Sequence, residues 1–261
     1  MKRLTKNQKE IIKNFHSKGL SLRQIQKKTN IPLSTLQYNL NKNSERKRTK
    51  ELIIPESDFI IGELIGAFAG DGSFYANTND GYKRYWIRFF LSYYDDKQYM
   101  FYLCKILKNM DLNPKIYIKK FNGKPSSFEI RVISINLYLF IKRYLFWEGK
   151  KANSVCLKDK ISAYSNDFLF GFARGLMDTD GFIENNSIGF GVTSKRLVEN
   201  LSEILSMIGI CTNITIKKPK KENWREVYLI RTSKKVFLKI YSDKIGFSHF
   251  RKQKELFNLT G

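Results

Sequence analysis

From Phe59 to Ala69 the chain is apolar except at Glu63, which predicts one buried helix, opened by Ser57 or Asp58 as N-cap and stopped at Asp71-Gly72. Gly62, Gly66 and Gly70 recur in it at every fourth residue. That spacing lines three positions without side chains along one face, each costing up to about 1 kcal/mol of helix stability relative to alanine. Close approach of another backbone offsets such a cost, so a second helix is expected against the stripe. The Asp71 carboxylate then lies at the negative end of the helix dipole, where a bare anion is unfavourable. A divalent cation reverses that sign, since a carboxylate with backbone carbonyls suits Mg²⁺; a plain Asp-Gly turn is the alternative.

Alternation follows. Ser73 to Asn77 and Tyr85 to Ser92 read as strands around the turn-rich Asn77-Thr78-Asn79-Asp80-Gly81, and a helix from about Asp95 to Met110 comes next. Lys115 to Phe121 and Ser127 to Ile133 form a second hairpin through Asn122-Gly123, followed by a helix near Leu137 to Leu145 and a connection from Leu157 to Tyr164. The two-residue period turns Ile87, Phe89, Leu91, Ile116 and Ile118 towards the helices. It leaves Tyr75, Asn77, Arg84, Trp86, Arg88, Lys115, Tyr117 and Lys119 on the other face.

The first element then returns as Phe168 to Phe182. Gly171 and Gly175 precede Asp180 by the same nine and five residues by which Gly62 and Gly66 precede Asp71, an offset of 109. Pro114 to Lys120 is echoed by Thr212 to Lys218 at an offset of 98, and Phe146 to Ala152 by Gly246 to Gln253, each with a basic pair near its end. A duplication of about 100 residues is therefore expected, with the two glycine-striped helices as each other's partner. Packed in parallel, they would place Asp71 and Asp180 side by side, where two carboxylates repel without a cation. In the second copy Glu184, Asn186, Asn213, Thr215 and Lys217 occupy the outward positions.

On Leu64 to Gly72 and Ala173 to Gly181 the sequence resembles the LAGLIDADG homing endonucleases, in their monomeric two-motif form, over about residues 57 to 258. The resemblance implies an α+β fold: a pseudo-two-fold duplicated αββαββα core whose saddle-shaped antiparallel sheets curve around duplex DNA. It also implies site-specific hydrolysis of phosphodiester bonds with Mg²⁺ or Mn²⁺, the metal polarising the scissile phosphate. The family's metal-binding acidic position falls on Asp71 and Asp180, with the carbonyls of Gly70 and Thr179 completing the protein ligands. Copy one has Ala69 where copy two keeps Asp178; that position is not the metal ligand. Unlike readout residues in the two halves imply an asymmetric target.

Ahead of the repeats, residues 1–42 carry three short helical patterns with Ile11, Ile12 and Phe15, then Ile25, then Leu33, Leu36 and Leu40. Two short helices joined by a tight turn resemble a helix-turn-helix, with Ser34, Thr35, Gln37 and Tyr38 towards the major groove; a small bundle with no DNA role is the plain reading. Residues 43–56, with Arg46-Lys47-Arg48 and Lys50, read as a basic linker, leaving repeats at 57–165 and 166–261.

Charge sharpens the choice of partner. The 261 residues carry a net charge of +23 spread along the whole chain, which calls for a polyanion: nucleic acid first, an anionic membrane second. No run approaches a spanning length and the basic start lacks an apolar region after it, so no membrane partner is expected. Cys104, Cys156 and Cys211 make neither a disulfide framework nor a zinc pattern, consistent with a cytoplasmic or equivalent reducing compartment. With only His16 and His249, nucleases built on a histidine base and a histidine ligand are disfavoured. Two rivals remain: a non-cleaving DNA-binding regulator or RNA-binding maturase on the same scaffold, and a restriction-type nuclease on Glu148-Gly149-Lys150.

Overall fold

Thr5 and Ser21 each open a helix with a reciprocal cap, their hydroxyls accepting from the backbone of Gln8 and Gln24 while those side chains accept from the cap residues' N–H groups. These are α1 (Lys6–Ser17) and α2 (Leu22–Thr29); Asn30, left-handed at φ 52°, makes the tight turn into α3 (Leu33–Asn41). Ile12, Ile25, Ile31 and Leu36 form the core of this small unit, which spans Met1–Lys50. In this computed structural model residues 4–41, 51–79, 82–219 and 225–261 are described; Arg46-Lys47-Arg48, Lys50 and the turn residues Asp80-Gly81 lie outside them.

The larger unit, Glu51–Gly261, begins before the predicted end of the linker: Leu52 packs on the core, and the Ile53 N–H donates to the Met110 carbonyl at 3.3 Å. Its first repeat runs α4 (Asp58–Ala69), β1 (Gly72–Asn79), β2 (Tyr82–Ser92), α5 (Lys97–Asn109), β3 (Lys115–Phe121), β4 (Lys124–Ile133) and α6 (Ile135–Tyr144). A bridge follows, with β5 (Leu145–Phe146), α7 (Lys151–Ser154), β6 (Cys156–Leu157) and a 3-10 turn at Ile161–Ala163. The second repeat is α8 (Asn166–Thr179), β7 (Gly181–Glu184), β8 (Ser187–Val192), α9 (Lys195–Met207), β9 (Thr215–Lys217), β10 (Val227–Thr232) and α10 (Lys235–Lys244), closed by α11 (Phe250–Thr260). Each repeat is thus αββαββα, and the fold is α+β with two four-stranded antiparallel sheets ordered β1-β2-β4-β3 and β7-β8-β10-β9.

The glycine stripe is the seam between repeats. A Cβ on Gly62 would collide with the Phe168 carbonyl, and one on Gly171 with the Phe59 carbonyl; Gly66 likewise meets Phe172, and Gly175 meets Glu63. Each pair is the other displaced by 109 residues, so α4 and α8 pack in parallel about a local two-fold. Backbone comes this close only where no side chain intervenes.

Register fixes the faces. Tyr75 pairs with Trp86, Asn77 with Arg84, and Phe89 with Ile130, so Ile87, Phe89, Leu91, Phe128 and Ile130 are buried together while Arg84, Trp86 and Arg88 take the opposite face. Ile116 and Ile118 pair with the buried Ile130 and Phe128, yet stay 42% and 51% exposed instead of buried. Their strand is the sheet edge, and α5 packs on β2 and β4.

Candidate active site

Both seam helices end at the same place. Gly70 abuts the next helix so closely that an added Cβ would lie 2.8 Å from Asp180 Oδ2, which brings the end of α4 against the second carboxylate. Burial and the neighbouring charges of Asp180 and Asp96 push the Asp71 carboxyl up to about 7, opposed by Lys252 and Lys151. Burial also raises Asp180, against the pull of the same two lysines.

Those lysines are the residues that sequence reasoning missed. Lys151 Nζ donates to the carbonyls of Phe68, Ala69 and Gly70 at 2.8, 2.6 and 2.7 Å, closing the C-terminus of α4. Lys252 Nζ does the same for α8, reaching Met177, Asp178, Thr179 and Gly181 at 2.9, 2.7, 3.3 and 2.7 Å. Positive charge is favourable where unpaired carbonyls converge. Burial lowers the Lys151 ammonium to about 8 despite both aspartates, and lowers Lys252 against Asp178, Asp96 and Asp71. The signal was present as the repeated basic pairs Lys150-Lys151 and Arg251-Lys252.

The two ends are not equivalent. Asp178 accepts from the N–H groups of Ser248 and His249 at 3.2 and 3.0 Å, holding the start of the very helix that carries Lys252. Ala69 offers nothing comparable in copy one. His249 Nε2 lies 2.8 Å from Asp96 Oδ1, and Tyr102 donates to the buried Glu63 at 2.7 Å, so a polar cluster flanks the Lys252 side. Burial raises Glu63 and Asp178; Asp96 is lowered, because the bonds from His249 and the Ser92 N–H outweigh its own burial.

The donor set suits a hard divalent cation. Two neighbouring carboxylates lie beside backbone carbonyls, and burial together with the charge of Asp180 raises the Asp71 carboxyl, a cost that a cation would offset. Among the described residues no three His, Cys, Asp or Glu side chains cluster as ligands, so the remaining positions fall to water and substrate, as is common for Mg²⁺. The expected carbonyl ligands Gly70 and Thr179 already accept from lysines, each retaining a second lone pair.

A pH dependence follows with a definite sign. Asp71 stands near 3.8 when unfolded and about 7 when folded, so between those values the folded chain holds a proton the unfolded chain has lost. Without divalent cation, melting temperature is expected to fall as pH rises from 4 to 7; Mg²⁺ restores it at pH 8 far more than at pH 5. Asp71→Asn should flatten that slope, and a wild type with no slope and no Mg²⁺ effect would contradict the site.

The outward sheet residues fall into place with exceptions. Tyr75, Arg84, Lys115, Tyr117 and Lys119 are exposed on the face opposite the helices, with Asn77, Trp86 and Arg88 partly so. In the second sheet Thr215 and Lys217 face out, and Glu184 ends β7. Asn213 is exposed but precedes β9. Asn186 is no strand residue: with Asn185 it forms a two-residue turn at φ 49° and 56°, which Asn tolerates. Thr35 is buried, one turn after Ile31 and so on the core side of α3, whereas Ser34, Gln37 and Tyr38 are exposed. Glu148-Gly149-Lys150 is an exposed loop off the sheets, which removes the restriction-type reading.

Comparison with known proteins agrees with this geometry. Residues 167–246 match the family model of the LAGLIDADG-like domain. A LAGLIDADG-like domain is thus present in the second repeat. The fold of the chain is that of I-DmoI in complex with DNA and Ca, at 19% identity and a TM-score of 0.59 over 77% of this chain and 98% of that one. I-DmoI with DNA and Mn gives 20% identity and a TM-score of 0.54 over 72% and 96%. Among curated relatives, the replication factor C small subunit of Methanocaldococcus jannaschii is 28% identical over 226 residues, 85% of this chain and 11% of that protein. A glutamine–fructose-6-phosphate aminotransferase of the same organism is 31% identical over 94 residues, 35% of this chain and 9% of that one. The chain thus spans only about a tenth of these two relatives. An uncharacterized protein of that organism is 25% identical over 94% of this chain and 90% of its own length.

Proposed function

We propose that this chain is a monomeric, site-specific double-strand DNA endonuclease that hydrolyses phosphodiester bonds at a long asymmetric target with Mg²⁺ or Mn²⁺. The observation that carries it is the pair of carboxylates on two glycine-packed helix ends, one from each repeat. I-DmoI, of the same fold, was solved with DNA and Ca or Mn, which supports the partner and the metal. Similar segments within two much longer proteins of unrelated names fit a module that is carried between hosts.

Asp71 and Asp180 would hold the cation, with the Gly70 and Thr179 carbonyls beside them. A bound divalent ion supplies Lewis acidity: it neutralises charge on the scissile phosphate and activates water. The chain's own part is orientation and charge. Lys151 has all three N–H groups committed to carbonyls, so it acts through its field, keeping both carboxylates more acidic than burial alone would leave them. Lys252 does so for the other helix end. The outward sheet faces, rich in basic, aromatic and amide side chains, contact the duplex, and α2 with α3 form a helix-turn-helix presenting Ser34, Gln37 and Tyr38.

That appended unit also favours a second reading, a non-cleaving regulator or RNA-binding maturase. Selection from random duplexes tests DNA recognition: one asymmetric site is expected, and a perfect palindrome would contradict the unlike halves. Lys119→Ala should lower the slope of log affinity against log salt by about one. An unchanged slope places Lys119 off the DNA.

A further inference from the structure

Glu129 is fully buried on the open face of the first sheet, an unusual place for a carboxylate. Its Oε1 accepts from Arg131 Nε at 2.9 Å and Nη2 at 2.8 Å, and its Oε2 pairs with Lys119 at 2.8 Å. The Arg131 guanidinium also stacks against Tyr117 at 4.3 Å and Trp86 at 5.1 Å. It is therefore held along its side edge and against two rings, a geometry fixed before any ligand arrives.

The second sheet repeats the device with different parts. Arg131 follows Ile130, which pairs with Phe89; Arg231 follows Ile230, which pairs with Phe190. Leu229 stands where Glu129 does, so Arg231 finds other acceptors: its Nε donates to Ser187 Oγ at 2.5 Å and its Nη2 to the Glu184 carbonyl at 3.0 Å. In both repeats the side edge, Nε with Nη2, is taken. Among the described residues no hydrogen-bond partner takes the end edge, which has one N–H on each terminal nitrogen, the two in parallel. Two parallel donors at that spacing match the N7 and O6 acceptors that guanine presents in the major groove.

We infer that Arg131 and Arg231 are a matched pair of guanine readers, one per repeat, because each presents a tethered guanidinium end-on from equivalent strands. The pseudo-two-fold relates opposite DNA strands, so the target carries a guanine on each strand at dyad-related positions. This rests on the proposed duplex-DNA recognition. A phosphate could take the same edge, and the two ligands differ in what the arginine controls: base preference at one position or affinity everywhere.

The full chain, without divalent cation, is selected against a random duplex library and compared with Arg131→Lys, Arg231→Lys and Glu129→Gln. Lysine keeps the charge but not the fork. Wild type should show both guanines; each lysine variant should lose about tenfold or more of the preference at its own position, leaving the other intact with an unchanged salt slope. Glu129→Gln should weaken only the Arg131 position. Retained guanine preference in both lysine variants, or an even loss of affinity across all sequences, overturns the inference. The exposed Arg231 makes that arm informative even where Arg131→Lys unfolds the first sheet. A wild type that selects no sequence at all overturns the DNA reading itself, an outcome separate from the loss of these two positions.

Discussion

Replacing either Asp71 or Asp180 by asparagine is expected to lower double-strand cleavage by about 10³-fold, the several kcal/mol that a correctly held cation contributes at 1.36 kcal/mol per tenfold. Binding should survive, because the proposed reading faces lie on the sheets and the seam helices keep their shape. Folding should improve slightly without metal: each substitution removes one of two carboxylates whose pKa burial has raised, and in Asp71 the second carboxylate adds to the rise. Nicking assays on a two-strand-labelled duplex, with melting curves alongside, measure all three quantities. Full cleavage by both variants would remove these carboxylates from the chemistry.

The second large effect lies in the seam. Elsewhere in a helix, glycine to alanine gains up to about 1 kcal/mol. At Gly62, Gly66, Gly171 and Gly175 the new Cβ would meet a carbonyl of the other helix, and backbone cannot swing aside as a flexible side chain can. Each substitution is therefore expected to destabilise the larger unit by roughly 2–4 kcal/mol net, the range of severe overpacking. Because the same displacement separates Asp71 from Asp180, cleavage should fall further than the unfolded fraction alone explains. Urea melts of the four variants check the first statement, and cleavage at a temperature where all remain folded checks the second. Alanine variants as stable as wild type would contradict close backbone contact at the seam.

What could be read from the chain was what repeats. The glycine spacing and its return 109 residues later gave the helix pair, its parallel sense and the meeting of Asp71 with Asp180, because a stripe without side chains has few other uses. Alternation placed Trp86 and Arg88 opposite Ile87 and Phe89 for the same local reason. Alternation also assigned Ile116 and Ile118 to the helix side, but burial depends on whether a helix covers the edge strand, which no local period encodes. Thr35 lies on the core side because a helix only nine residues long leaves little margin between its core face and its free face. Asn186 became a turn because two consecutive residues with positive φ close the hairpin. Lys151 and Lys252 escaped assignment because their partners are carbonyls more than 70 residues away, and a backbone acceptor leaves no mark in a sequence. Nothing local in the sequence marks Glu129 and Arg131, because it is the register between strands that sets Tyr117 and Trp86 around them.

The most direct measurement is sequencing of the ends that the full chain produces from a randomised duplex library with Mg²⁺. Breaks in both strands at one asymmetric site, absent with Asp71→Asn and with Asp180→Asn, are the expected result. Tight, selective binding with no cut strand in either Mg²⁺ or Mn²⁺ would contradict it, and would make this LAGLIDADG scaffold a reader of nucleic acid that does not cleave.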